Sequence, residues 1–302
     1  MKKKYLVVIQ GPTAVGKTSL SIDLAKSLNA EILSSDSRQF YQELRIGVAR
    51  PSPQELAKVK HHFIAHLSIH DYYSVSHYEQ DVLQLLKSYF LTKDVALLVG
   101  GSGMYSDVVC NGIDHLPDPD EKLRLRLNEK WQKEGLESIR NELKIRDPEF
   151  YEMIDLNNPK RVLRALEVCM QTGKKYSQLR SQPKRKREFE IIKIGLRLPR
   201  EILVERIHRR VDMMMKEGLL DEVKQMFEWK DLNALNTVGY KELFAYLQGA
   251  WTLDFAIGKI KTNTRRFSKR QMTWYRKDAE IRWFEADRKQ EILNYLEQKI
   301  DR

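Results

Sequence analysis

The chain has little cysteine. Cys110 and Cys169 are the only two in 302 residues, and neither belongs to a C-x-x-C pair. That excludes a disulfide framework and a cysteine-based zinc site; the two read as reduced thiols of a cytoplasmic protein. No apolar run reaches the roughly 18 residues that a membrane-spanning helix needs, so no membrane partner is expected. The start Met1-Lys-Lys-Lys4 has the charge of a signal peptide, but only five apolar residues follow it. That is too short for a signal core and reads as a first strand. Repeats and low-complexity tracts are absent too. Acidic residues run short against basic ones, 42 Asp and Glu to 53 Lys and Arg, for a formal charge of +11. This excess favours a polyanionic partner, nucleic acid ahead of a membrane surface. A basic but otherwise ordinary soluble enzyme is the plainer alternative. Nothing demands more than a monomer.

Against these absences stands one dense motif. Gly11-Pro12-Thr13-Ala14-Val15-Gly16-Lys17-Thr18 follows the apolar run Tyr5–Ile9 and precedes a helical pattern from Ser19 to Leu28. The spacing G-x-x-x-x-G-K-T in a strand–loop–helix context is a P-loop. Its glycines let the backbone curl so that successive N–H groups face phosphate oxygens. The following helix adds its positive end. Lys17 supplies a point charge for the terminal phosphates, and the Thr18 hydroxyl suits Mg²⁺. A diphosphate or triphosphate ligand is therefore expected.

Strand and helix signals alternate over the first hundred residues. Strands are expected at Tyr5–Ile9, Ala30–Ser34 and Val95–Val99, with a helix around Tyr78–Phe90. Such alternation predicts an α/β fold, a P-loop NTPase-like parallel sheet flanked by helices. Ligands bind at the carboxyl ends of such strands. The P-loop, Asp36-Ser37-Arg38-Gln39 and Gly100-Gly101-Ser102-Gly103 all fall there, so three loops should share one crevice. From Leu116 the pattern turns helical, including Asp120–Lys133 and Pro159–Gln171 with Gly173 as a stop signal. The expected organisation is a first part of the core at 1–115 and a helical insertion domain at 116–188. A return strand, Glu190–Leu196, and a helical C-terminal region then fill 189–302. The C-terminal helices are expected at Arg200–Glu217, Leu219–Trp229, Lys241–Leu247 and Leu253–Lys277.

A hydrolytic P-loop enzyme commonly carries an acid at the end of a second apolar strand. Here the strand Ala96–Val99 ends in Gly-Gly-Ser-Gly. The strand-end acid is Asp36 instead. Beside a phosphate cradle it suits proton abstraction as well as metal binding, and a plain capping role is the alternative. Between Phe255 and Lys277 lie eight basic residues and no acidic one: Lys259, Lys261, Arg265, Arg266, Lys269, Arg270, Arg276 and Lys277. Ala256, Ile260, Phe267 and Trp274 are expected to form its buried stripe, leaving a basic face for a nucleic-acid backbone. Arg206, Arg209 and Arg210 follow the return strand, and one of them can clamp a leaving phosphate group; simple exposure is the equal alternative. His61, His62, His66 and His70 lack companions for a metal site. The basic loop Lys184–Arg187 can be read as a localisation signal, but a solvated loop or a second phosphate contact is the simpler reading.

Taken in order, these segments resemble the tRNA dimethylallyltransferases, or tRNA isopentenyltransferases, over nearly the whole chain. The resemblance rests on Gly11–Thr18, Asp36–Gln39, Gly100–Tyr105 and Leu116–Arg124. It continues through Asn158–Val168, Val238–Tyr240 and Lys269–Trp274. It implies transfer of a dimethylallyl group from dimethylallyl diphosphate, with Mg²⁺. The acceptor would be the exocyclic amine of the adenosine 3′ of the anticodon in tRNA, with release of pyrophosphate. A P-loop small-molecule kinase and an RNA-stimulated NTPase are the alternatives.

Carried over by position, Asp36 would accept the amine proton. Lys17, Thr18 and the loop N–H groups would hold the diphosphate, and Arg210 would stabilise the leaving group. Ser102 stands where the family usually has Thr, keeping the hydroxyl but not the methyl. The positions matching tRNA-contacting segments are Asp36, Ser37, Arg38, Gln39, Ser102, Arg124 and Lys160-Arg161-Val162-Leu163-Arg164. Gly239, Tyr240, Lys241, Lys269, Arg270, Gln271 and Trp274 complete the set. Gln39 would hydrogen-bond the flipped adenine. The helical insertion would cover the anticodon loop and exclude water.

Overall fold

A computed structural model describes residues 2–180 and 185–300. The chain divides into two compact units, residues 1–110 with 187–302, and residues 111–186.

The first unit is built on six strands: β1 Tyr5–Gln10, β2 Ile32–Ser34, β3 His61–His62, β4 Val95–Val99, β5 Glu190–Arg197 and β6 Arg282–Glu285. Their order is β3-β2-β4-β1-β5-β6, and every pairing is parallel. β1 lies between β4 and β5, with Leu6 opposite both Ala96 and Ile191. Every residue of β1 and β4 is buried. An uninterrupted apolar run is what a central parallel strand covered on both faces requires. One core forms where Val7, Ile9, Leu97 and Ile194 meet Leu24 of the P-loop helix, Ile207, Ile292 and Leu296. A second lies around Leu219, Val223, Leu235, Tyr240, Leu243, Ala256 and Ile260.

Three expectations for the C-terminal region fail. It is not wholly helical, because β6 adds an edge strand to β5. Its four residues Arg-Trp-Phe-Glu bury only Phe284 fully, too short a signal for a period-2 pattern. The second failure concerns the long helix, Leu253–Tyr275. Ala256 and Ile260 are buried as expected, but Phe267 and Trp274 are 38% and 40% exposed. The buried positions of its second half are Ser268, Gln271 and Tyr275. The inward face of this half carries polar side chains, so an apolar stripe could not find it. The helix expected at Leu219–Trp229 is also interrupted: it ends at Gln225, and a 3₁₀ turn takes Phe227–Trp229.

The second unit is helical, with its longer helices at Glu121–Glu134, Leu136–Arg146 and Pro159–Thr172. They close over Leu127, Ile139, Leu143, Phe150, Val162, Ala165 and Leu166. Asn158 caps the third by accepting from the Arg161 N–H, and Gly173 ends it in the left-handed region.

Candidate active site

β1 delivers the P-loop, whose curl is visible in its backbone. Ala14 has φ +65° and Gly16 φ +109°. A left-handed alanine is strained, and such strain persists where a loop must aim its N–H groups. Val15 anchors the loop from below, fully buried. The Lys17 ammonium donates to the carbonyls of Gly11 at 2.8 Å and Pro12 at 2.9 Å. Burial lowers the Lys17 pKa to about 8. The Asp36 carboxylate opposes that shift, and the Arg210 guanidinium reinforces it. Burial also lowers the Arg210 pKa, against the pull of Asp36, Glu217 and Glu55. Lys17, Asp36 and Arg210 therefore feel one another's charge, and three segments far apart in sequence form one constellation. Arg206 also reaches the P-loop, donating to the Val15 carbonyl at 3.3 Å, whereas Arg209 stays exposed.

β2 delivers Asp36. Its Oδ1 accepts the Arg38 N–H at 3.1 Å and its carbonyl accepts the Gln39 N–H at 3.0 Å. The side chain thus stabilises its own turn, as aspartates at turn starts do. No helix directly follows Asp36, so the helix-cap alternative fails; the carboxylate closes a turn, and its charge reaches Lys17 and Arg210. The other oxygen, Oδ2, lies beside Gly101: a β-carbon built there would stand 3.7 Å from it.

β4 delivers Ser102. Its hydroxyl accepts the Ser37 N–H at 3.1 Å and lies 3.2 Å from the Ser37 hydroxyl. Close approach of the β2 and β4 loops explains the missing strand-end acid. A β-carbon at Gly100 would stand 2.3 Å from Ser35 Oγ and 2.5 Å from its carbonyl carbon. Position 100 has no room for a carboxylate.

The helix Leu253–Tyr275 closes the site from the C-terminal side. Gln271 accepts the Thr13 N–H at 2.9 Å and donates to the Gly101 carbonyl at 2.8 Å. One turn on, the Trp274 indole N–H donates to Asp107 at 2.8 Å. A β-carbon at Gly103 would stand 2.4 Å from that indole ring, so glycine there admits it.

Several positions expected to touch RNA are turned inward. Val162, Tyr240 and Gln271 are buried, and the Tyr240 hydroxyl donates to Glu222 at 2.5 Å. Their side chains support a surface instead of forming one. Gln39 donates to the carbonyls of Val48 and Ala49, and its oxygen receives the Ser34 hydroxyl. Arg38 holds the carbonyls of Asn233 and Ala234. Lys241, Lys269 and Arg270 are exposed. In the second unit Lys160 and Arg161 are exposed, while Arg124 and Arg164 share buried Glu167. Arg187 is neither solvated nor free for phosphate. It pairs with buried Glu79 at 2.6 Å and donates to the carbonyls of Val108 and Val109. Lys184 lies outside the described residues. Of the histidines, His62 pairs with Glu31 at 2.6 Å and His66 packs edge-on to Phe40.

Asp107, Gln271 and Arg187 carry contacts that sequence reasoning missed. Their partners lie 167, 170 or 258, and 78 to 108 residues away, beyond any local pattern.

A parallel sheet with a P-loop, and an acidic side chain at a neighbouring strand end whose charge reaches Lys17 and Arg210, define a P-loop α/β protein. Comparison narrows the class. The model of the IPP transferase family matches residues 39–278, and the chain belongs to that family. The tRNA dimethylallyltransferase 1 of Bacteroides fragilis is 51% identical over 300 residues, covering 99% of this chain and all of its own length. Among solved structures, the tRNA isopentenylpyrophosphate transferase of Bacillus halodurans superposes with a TM-score of 0.73 at 35% identity, covering 99% of this chain and 97% of its own. A eukaryotic dimethylallyltransferase acting on tRNA gives a TM-score of 0.80 at 28% identity, over 98% of this chain and 78% of its own.

Proposed function

We propose that this chain transfers the dimethylallyl group of dimethylallyl diphosphate to the N6 amine of the adenosine 3′ of the anticodon in tRNA. The observation that carries this reading is the electrostatic constellation of Asp36, Lys17 and Arg210. It supports a base beside a diphosphate cradle, and position 100 has no room for a second strand-end acid. The adenine nitrogen attacks C1 of the allyl group, the C1–O bond breaks, and pyrophosphate leaves with the bonding pair. Asp36 takes the proton from the amine. Lys17, Arg210 and the P-loop N–H groups balance the charge that develops on the leaving oxygens. Such preorganised stabilisation is commonly the largest catalytic contribution.

Magnesium suits this site. It is a hard cation that takes few protein ligands beside substrate phosphates, and the Thr18 hydroxyl at the start of the P-loop helix would be such a ligand. The ion would neutralise diphosphate charge. The exposed basic side chains of the helix Leu253–Tyr275 would take the RNA backbone.

The decisive experiment supplies Mg²⁺, radiolabelled dimethylallyl diphosphate and unmodified tRNA. Label should enter the tRNA and vanish when the target adenosine is replaced. Asp36→Asn should lose about 10²–10⁴ in transfer rate, the span of a positioned proton acceptor, while tRNA still binds. ATP hydrolysis without transfer would replace this reading with that of a kinase or NTPase.

A further inference from the structure

Among the described residues, Gln271 is the one residue of the basic helix whose side chain bonds both the P-loop and the β4 loop. It sits next to exposed Arg270 and three residues before half-exposed Trp274. Its own side chain is buried, with 6% exposure. The amide oxygen takes the N–H of Thr13 in the P-loop. The amide nitrogen serves the carbonyl of Gly101, next to Ser102. The glutamine is therefore a two-ended strut. Both ends carry good hydrogen-bond geometry, and neither partner can be exchanged without moving the other, because one planar amide serves both. The space it occupies is equally fixed: a β-carbon at Gly101 would stand 2.5 Å from its Nε2.

We propose that Gln271 is a positioning residue that couples occupancy of the basic helix by RNA to the affinity of the P-loop for a diphosphate. This rests on the function proposed above. An RNA that settles on Lys269, Arg270 and Trp274 fixes the turn of helix bearing Gln271. That turn fixes the Thr13 peptide, inside the P-loop whose other N–H groups form the cradle, and the Gly101 peptide, which precedes Ser102. The two ligands then bind with a coupling free energy, and by linkage each changes the other's affinity by the same factor. Trp274 and Asp107 pin the same helix turn without touching the P-loop, so they serve as the internal control.

The test measures binding to the full-length protein at pH 7, in Mg²⁺. The probes are inorganic pyrophosphate and unmodified tRNA bearing adenosine 3′ of the anticodon. The dissociation constant for pyrophosphate is determined with and without saturating tRNA, and that for tRNA with and without saturating pyrophosphate. The wild type should show the same factor in both directions, at least about fivefold, the low end of usual couplings. Gln271→Met keeps length and fills the space but removes both hydrogen bonds. It should bring the factor to within about twofold of one, with each ligand alone still bound. Gln271→Glu keeps the acceptor for Thr13 and opposes the Gly101 carbonyl with an oxygen; it should retain part of the factor. Asp107→Asn should leave the factor in place.

A factor of one in the wild type overturns the proposal. So does a factor that survives Gln271→Met, or one that Asp107→Asn abolishes equally, since coupling would then follow general anchoring of the helix. Should wild-type protein bind neither probe, the proposed function falls as well. Binding of both, with coupling unaffected by Gln271, removes only this inference.

Discussion

The hydroxyl of Ser102 accepts the backbone N–H of Ser37 at 3.1 Å. That bond ties the β4 loop to the turn in which Asp36 stands, so Ser102 sets where the carboxylate points. Ser102→Ala leaves the Ser37 N–H without this acceptor. We expect a stability loss of about 1 kcal/mol and a larger loss in transfer rate, because the carboxylate turn is no longer held. Ser102→Thr keeps the oxygen and adds a methyl that restricts its rotamer, so turnover should be equal or higher. Single-turnover transfer rates beside urea midpoints separate the two effects. A large loss with threonine would mean that the site is built around serine.

The basic helix makes a different kind of prediction. Arg270 is exposed, its guanidinium near the Phe267 ring, and among the described residues no carboxylate pairs with it. Its charge is available to a phosphate. Arg270→Ala should weaken tRNA binding and lower the slope of log affinity against log salt by about one. Lys261 is the contrast: it is paired with Asp212 at 2.6 Å, so Lys261→Ala should change the slope less. Equal slopes for wild type and Arg270→Ala would place the RNA footprint elsewhere.

What could be read from the sequence and what could not follows from how far each interaction reaches. The P-loop declares itself because its glycines, lysine and threonine act within eight adjacent residues. β1 and β4 do so because a strand buried on both faces must be apolar throughout. The Asp36 turn is also local, closed on Arg38 and Gln39. The inward face of the helix Leu253–Tyr275 escaped because Ser268 and Gln271 are polar and are buried by partners 258 and 170 residues distant in the case of Gln271. Arg187 escaped for the same reason. A charge run looks solvated until the fold brings Glu79 against it. The family resemblance gave positions, but burial decided that Val162, Tyr240 and Gln271 act from beneath the surface.

Glu222 shows how such buried support is tested. Its carboxylate accepts the N–H groups of Arg45, Ile46 and Gly47 at 3.2, 2.8 and 3.0 Å, as well as the Tyr240 hydroxyl. The segment that Gln39 grips at Val48 and Ala49 is thus fixed from a second side. Glu222→Gln has one acceptor oxygen in place of two and should lose about 1–3 kcal/mol of stability. Gly47→Ala should be at least as damaging, since the new β-carbon would stand 2.5 Å from the buried Tyr240 ring. Urea unfolding checks both. Unchanged midpoints would show that this loop is not coupled to the fold.

Lys17 supplies the pH dependence. Its ammonium is destabilised by burial, and its pKa stands near 8 in the unliganded protein instead of 10.5. An anionic diphosphate favours the charged form, so binding raises that pKa. Affinity for dimethylallyl diphosphate should therefore be flat below about pH 8 and fall by up to about tenfold per pH unit above it, as protonation becomes a condition of binding. Folding responds with the opposite sign. Between about 8 and 10.5 the unfolded chain holds more protons at this lysine than the native one does, so this group adds stability as pH rises through that window. Lys193 donates hydrogen bonds to Asp278 and Glu280 that outweigh its burial and raise its pKa from 10.5, so its own contribution is lost only above that window, and ligand binding is the cleaner readout. Calorimetric titration at pH 8.5 in two buffers of different ionisation enthalpy should register proton uptake. Lys17→Met should bind more weakly, without uptake and with a flatter profile. Identical proton uptake in wild type and Lys17→Met would assign the titration to another group.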